Sequence, residues 1–201
     1  MINENAMSLK DLVYETRSFR RFDESHHIDL KILEGLVDLA RMSASAANRQ
    51  PLKYLLYNTA EFCQRIFPSV AWAAYLKDWY GPVPGERPSS YIIILGDKSI
   101  TETFSFDPGI AAQSIMLGAT EAGLGGCMIG SIKREALRND LRIPEKFEII
   151  LILALGKPAE NILIEEIKDD DVKYWRDDQQ NHHVPKRPLK ELILRGILKS
   201  E

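Results

Sequence analysis

The stretch TRSFRR, residues 16–21, sets Arg17, Arg20 and Arg21 around Ser18. Guanidinium groups present planar sets of N–H donors that match a phosphate, and a serine hydroxyl adds a further bond. The same cations would also suit the C-terminal end of a helix, where they complement its dipole. The residues alone leave both readings open. No GxGxxG follows a strand-like run, and no GxxxxGK[ST] occurs in the chain. A nucleotide phosphate would therefore have to be gripped by side chains and not by a glycine cradle.

Three further stretches carry groups able to recognise a ligand. In SASAANRQP (43–51), Asn48 and Gln50 have amides that both donate and accept, as the edge of a heterocycle requires. The competing reading is a loop whose serines and asparagine cap neighbouring helices. In GLGGCMIGSI (123–132), glycines let backbone N–H groups approach a flat ligand, or else Gly123 ends a helix before a strand begins. VPKRP adds Lys186 and Arg187 late in the chain, a pair that solvated surface charge would also explain. His26–His27 and His182–His183 are adjacent pairs whose side chains diverge, with no third ligand spaced to complete a set, so no metal site is expected. Cys63 and Cys127 form no CxxC, neither stands beside an evident base, and there is no GxSxG elbow. Catalysis by a protein nucleophile, general base or metal has no seat here.

Elements to position these groups can be read from periodicity. SLKDLVYET, capped by Ser8, is a short helix leading into the arginines. IDLKILEGLVDLARMS is amphipathic, with Asp29 as its cap and a stripe of Ile32, Leu33, Leu36, Val37 and Ala40. LKYLLYN reads as a strand, residues 60–67 as a helix, SVAWAAYLKDWYG as another helix stopped by glycine, and GPVPGERP as an irregular loop. SYIIILGD is a central buried strand and FEIILILALGKP the strongest strand of all. Between them, DPGIAAQSIMLGATEAG is a helix with Asp107 as N-cap and almost no charge before Glu121. A helix without a solvated face is enclosed, either within the monomer or against a second copy. GCMIGSI is a short strand and turn, and a helix covers 133–140. Beyond Pro158 the chain turns polar, closing on a helix in PLKELILRGIL. The mixed order indicates an α+β fold, a central and mostly antiparallel sheet flanked by helices. It forms one domain over 1–201, with a helical excursion and loop near 68–88 and a C-terminal arm from about 187.

Bulk composition agrees with a single soluble domain: 201 residues, 45% hydrophobic and 27% charged, at a formal net charge of -3. That balance lacks the broad basic face of a nucleic-acid binder. No apolar run reaches the roughly 18–20 residues that cross a bilayer. The start MINENAMSLK lacks a signal-peptide pattern, and the unpaired cysteine spacing suits a reducing cytoplasm.

Four stretches in this order, TRSFRRF, SASAANRQP, DPGIAAQSIMLGATEAGLGGCMIG and LGKP followed by PKRPLKELI, together resemble the nitroreductase-like flavoprotein family over nearly the whole chain. The resemblance implies a homodimer with FMN at sites built across the interface. It places Thr16, Arg17, Ser18 and Arg20 on the segment that holds the FMN phosphate and ribityl chain. Thr16 stands where a basic residue is usual, which shifts phosphate charge onto Arg17 and Arg187, with Lys186 beside it; Arg20 is then directed to the ribityl or pyrimidine edge and Arg21 to the surface. Ser45, Asn48 and Gln50 would come from the opposite subunit, and Leu52 stands where an aromatic is frequent. Backbone N–H groups of Gly130 and Ser131 would lie near the flavin N5 and C4 carbonyl. NADH or NADPH would be the reductant and a flat, electron-poor small molecule the acceptor, nitroaromatic or quinone-like, exchanging in ping-pong fashion. Trp72, Tyr75 and Trp79 are candidates for the acceptor pocket, unless they serve as core. The alternatives are another flavin chemistry on this scaffold, reductive dehalogenation or flavin breakdown, or a flavin-binding protein without turnover.

Overall fold

The structure, a computed structural model, describes residues 7–194. Its sheet is organised by β5 (Phe147–Pro158), whose apolar run is long enough to serve several partners at once. Along one edge β5 pairs with β3 (Ser90–Asp97), and β3 in turn with β2 (Leu52–Tyr57). On the other edge it takes β4 (Gly125–Ile129), and beyond that the two-residue β1 (Phe22–Asp23) at Lys157 and Pro158. All these pairings are antiparallel. Every residue of β3 is buried, because helices cover both faces of the sheet. Tyr91, Ile93 and Leu95 pack toward α3 (Ala60–Ile66) and α5 (Arg134–Leu141). Ile92 and Ile94 face α2 (Leu30–Arg41) and α4 (Asp107–Glu121). A strand buried on both sides needs no polar alternation, which is why it reads as a continuous apolar run.

Two local features bring the N-terminal arginines to this sheet. α1 (Leu9–Glu15) begins with a reciprocal cap: the Ser8 hydroxyl accepts from the Asp11 N–H, and the Asp11 carboxylate accepts from the Ser8 N–H. After the helix, Ser18 forms a parallel bridge to Gly126, and the Phe19 N–H donates to the Gly126 carbonyl at 2.9 Å. Only glycines permit this approach. A Cβ on Gly125 would stand 2.5 Å from the Phe19 ring, and one on Gly126 would stand 2.5 Å from the Ala154 carbonyl oxygen. Gly123, at φ +71, ends α4 in the left-handed region.

The structure corrects several expectations. Residues 70–88 contain no helix; after a single 3-10 turn at Phe67–Ser69 the chain runs irregularly, with Ala73 at φ 39 and Gly81 at φ 130 against the Trp72 ring. Asp107 does not cap α4, whose N-cap is Phe106; it is the first helical residue and serves a neighbouring loop. The stretch after Pro158, read only as polar, forms a small sheet: β6 (Ile162–Glu166) pairs parallel with β8 (His182–Lys186), and β7 (Trp175–Arg176) antiparallel with β8. The final helix is short, α6 (Leu189–Leu192), ending at Ile193 in extended conformation, and the part of the anticipated helix beyond 194 lies outside the described residues. Among the described residues no helix is long and apolar enough to cross a membrane.

Close packing at Gly126 sets a stability prediction. Gly126→Ala forces a Cβ against backbone that cannot yield and should cost about 1–3 kcal/mol. Gly35→Ala, in α2 where an added Cβ meets nothing within 4 Å, should instead stabilise by about 0.5–1 kcal/mol. Urea unfolding midpoints of the two variants check both signs.

Candidate functional site

A cavity of about 350 Å³ opens where the segment after α1 passes the end of α4 and meets β8. Arg17, Ser18 and Arg20 enter it from the N-terminal segment, Met128 from β4, and His182, Val184 and Lys186 from β8. The last three alternate along the strand, so they share one face, while His183 projects to the other. The cavity thus joins the two ends of the chain.

The arginine segment is held by Glu160. Its side chain is 1% exposed, and it ion-pairs with Arg176, itself 8% exposed, at 2.8 Å. The other carboxylate oxygen accepts the N–H groups of both Arg20 and Arg21, the latter at 3.1 Å. Burial pulls the Arg176 pKa down from its ordinary value, against the opposing charge of Glu160. With its backbone fixed, Arg20 turns its guanidinium into the cavity. There it donates to the Ser18 carbonyl at 3.1 Å, approaches His182 Nε2 at 3.3 Å, and lies 4.7 Å above the Tyr174 ring.

The cations divide by their partners. Arg21 is enclosed, not superficial: it ion-pairs with Glu86 at 3.2 Å and donates to Gln180. Arg187 lies outside the cavity, committed to Asp170 at 2.6 Å and Glu191 at 3.4 Å. Arg17 donates only to the Val13 carbonyl at 2.6 Å, leaving its enclosed Nε without an acceptor among the described residues. Lys186 meets no carboxylate among the described residues. Arg17 and Lys186 are therefore the cations available to an anion.

Other expected residues lie elsewhere in the single chain. Ser45 donates to Asp107 at 2.6 Å and accepts from the Gln50 N–H, and the Ala46 N–H donates to the same carboxylate. This pins a tight loop in which Ala47, Asn48 and Gln50 all have positive φ, with the Asn48 and Gln50 side chains exposed and bonded to each other. Ser45 and Gln50 line a second cavity of about 220 Å³, beside Tyr54 and Ala111. Gly130 and Ser131 follow β4, exposed, two and three positions past the cavity-lining Met128. Of the three aromatic candidates, Trp72 is buried in the core. Trp79 packs beneath Arg176, 4.4 Å from its guanidinium, and Tyr75 packs against Tyr174 with ring centroids 4.9 Å apart. None of the three lines the cavity; Tyr174 does. Glu160, Tyr174 and His182 were missed as site residues. The alternation of His182, Val184 and Lys186 was the available signal; nothing local marks Glu160.

The adjacent histidines are set in opposite directions. Burial, then the charges of Arg20 and Arg176, lower the His182 pKa to about 4, so it is neutral at pH 7. Burial also disfavours the His183 proton, but bonds to Asp177 and Glu165 outweigh it and raise the pKa. Asp177 is held down to about 2, first by its hydrogen bond from Asn181 and, against some burial, by His183. Among the described residues no group of three metal-ligating side chains is assembled.

Comparison with known proteins places this geometry. The nitroreductase family model matches residues 13–157. A candidate NADH dehydrogenase/NAD(P)H nitroreductase of Methanothermobacter thermautotrophicus is 26% identical over 172 residues, covering 82% of this chain and 85% of its own. A nitroreductase family protein of Clostridium difficile 630 superposes with a TM-score of 0.67 at 21% identity, over 96% of this chain and all of its own. An FMN-dependent nitroreductase of Clostridium difficile R20291 gives 0.60 at 19%, over 79% of this chain and 91% of its own.

The histidine pair has a pH signature. Between about pH 6.5 and 4 the unfolded chain takes up a proton that His182 refuses, so this residue lowers stability as pH falls through that window. His183 has the opposite sign: its contribution is complete below about pH 6.5 and is lost as pH rises through its raised value. Imidazole C–H titration by NMR should give one histidine midpoint near 4 and another above the ordinary value. His182→Asn should remove the former along with the stability slope between those limits.

Proposed function

The chain belongs to the nitroreductase family, and we propose that it is a cytoplasmic, FMN-dependent oxidoreductase that uses NADH or NADPH to reduce a flat, electron-poor acceptor of the nitroaromatic or quinone-like class. The observation that carries this reading is the meeting of Arg17, Ser18 and Lys186 in one cavity, with both cations free of carboxylates. An enclosed guanidinium whose Nε lacks an acceptor suits a phosphate, which has oxygens to spare. The names borne by the relatives, an NAD(P)H nitroreductase and an FMN-dependent nitroreductase, support the same cofactor and reductant.

On this reading Arg17, Ser18 and Lys186 hold the phosphate, and Arg20 faces the ribityl or ring end. Arg187 loses the role that the sequence resemblance gave it on this reading, because it lies outside the cavity with its Nη1 paired to Asp170 and Glu191. Gly130 and Ser131 offer backbone N–H groups to the ring edge. Bound FMN supplies hydride chemistry, so the protein need supply no nucleophile or general base. Reductant and acceptor take the same position in turn. His182, neutral and placed to accept from Arg20, holds that guanidinium without adding charge.

A second copy completes the site. Ser45, Asn48 and Gln50 lie away from their own chain's cavity, on a loop fixed by Asp107. Nearby helices leave Val13, Leu39, Met42, Phe106 and Ile110 exposed, an apolar surface suited to burial in a homodimer. α4 itself is enclosed chiefly within its own chain, against α2 and the sheet. Gly118 lets Leu39 of α2 come within 2.3 Å of where a Cβ would stand, while Ile110 and Gln113 remain on its open side.

The test compares two double variants. Arg17→Ala with Lys186→Ala removes charge-assisted bonds worth about 1.5–3 kcal/mol each, which weakens FMN binding by orders of magnitude. Arg187→Ala with Glu191→Ala should retain FMN. Flavin absorbance of the purified proteins, and flavin released on heating, read both outcomes. Full retention in the first variant, or a wild-type protein that takes up no FMN, contradicts the assignment. Light scattering should give twice the 22.9 kDa chain mass for the wild type.

A further inference from the structure

The segment 70–88 touches the cavity only through intermediaries. Trp79 lies against the guanidinium of Arg176 at 4.4 Å, and Arg176 is paired with the buried Glu160 carboxylate at 2.8 Å. Glu160 in turn accepts from the backbone N–H groups of Arg20 and Arg21. By a separate route, Tyr75 packs on Tyr174, which also packs on the core and meets the Arg20 guanidinium at 4.7 Å and the His182 ring at 5.2 Å. Both routes end on Arg20, one at its backbone and one at its side chain. Neither Trp79 nor Tyr75 lines the cavity themselves.

We propose that Trp79 and Tyr75 are positioning residues for the cofactor grip and not walls of an acceptor pocket. This inference rests on the reading that FMN occupies the cavity. Arginine has a long side chain with many rotamers, and holding it in its bound position before the ligand arrives removes an entropic cost from binding. Two aromatic contacts supply that hold. Trp79 holds the Arg176 guanidinium where it pairs with Glu160, which keeps the Arg20 backbone in place. Tyr75 backs Tyr174, which keeps the Arg20 guanidinium over the cavity. The arrangement is reciprocal: if the segment strengthens FMN binding, FMN must order the segment by the same factor.

The experiment titrates flavin-free protein with FMN, following flavin fluorescence, for wild type, Trp79→Leu, Trp79→Phe and Tyr75→Leu. Loss of the cation–π contact in Trp79→Leu should raise the FMN Kd about tenfold, while Trp79→Phe, which restores a ring face, should recover most of it. Tyr75→Leu, at a half-exposed position, should fold normally and weaken FMN in the same direction. Hydrogen exchange over 70–88 should slow when FMN binds. Wild-type affinity in both leucine variants overturns the inference while leaving the cofactor reading intact. An unchanged FMN Kd with an altered KM for the acceptor would instead make these residues pocket walls. A wild-type protein that binds no FMN overturns the cofactor reading and this inference with it.

Discussion

A single buried carboxylate governs the arrangement described above. Glu160 lies 140 residues from Arg20 in sequence, yet it receives two consecutive backbone N–H groups from the arginine segment and the guanidinium of Arg176. Burying a carboxylate and a guanidinium costs several kcal/mol each, and the cost is offset only when the geometry is good and the remaining lone pairs are used. Here they are used. Removing either partner would leave an uncompensated charge in the interior, so the path of the chain through residues 18–21 is strongly specified. The Ser18–Gly126 bridge then fixes that path against β4, and the tight contacts at Gly125 and Gly126 leave no room for a second register.

The consequence is electrostatic sorting. The chain is net negative, yet five cations gather near one cavity: Arg17, Arg20, Arg21, Arg176 and Lys186. Carboxylates claim Arg176 and Arg21, and a carbonyl, a neutral imidazole and an aromatic face engage Arg20. Arg17 and Lys186 remain. On the proposed reading, side chains do what a glycine-rich loop does in other nucleotide sites, and their selectivity comes from which cations are left unpaired. His182 fits this logic, because protonating it would add a further positive charge beside Arg20 and Arg176 and would remove the acceptor that Arg20 uses. Its low pKa comes first from burial and then from this same crowding of charge.

Much of the scaffold was legible in the sequence because it obeys local rules. The apolar runs of β3 and β5, the capping box at Ser8, the stripe of α2 and the Gly123 helix end are each decided by residues close to one another. Taken alone, TRSFRR leaves an anion site and a helix end both open, and only the family resemblance favours the former. What escaped was non-local. Apolar spacing in 70–80 suggested a helix, but Trp72 and Trp79 spend their surfaces on the core and on Arg176, and prolines at 82 and 84 follow a glycine in the left-handed region. The polar tail concealed a small sheet in which His183 sits between Glu165 and Asp177 and stacks on Trp175, contacts that leave no apolar periodicity to read. Glu160 carries no local signature at all, since its partners are backbone groups at the opposite end of the chain. Lys186 and Arg187 are neighbours of identical charge, and only the partners that the fold provides distinguish them.

The central claim is that a chain path set by Glu160 builds a phosphate grip. The most direct measurement compares FMN with riboflavin, which lacks the phosphate, in wild type and in Glu160→Gln. Wild type should bind FMN far more tightly than riboflavin, by the orders of magnitude that two charge-assisted contacts confer. The variant, checked for folding by circular dichroism, should lose most of that ratio while its riboflavin affinity changes little. Equal affinity for the two flavins in wild type, or an undiminished ratio in the variant, would contradict the account.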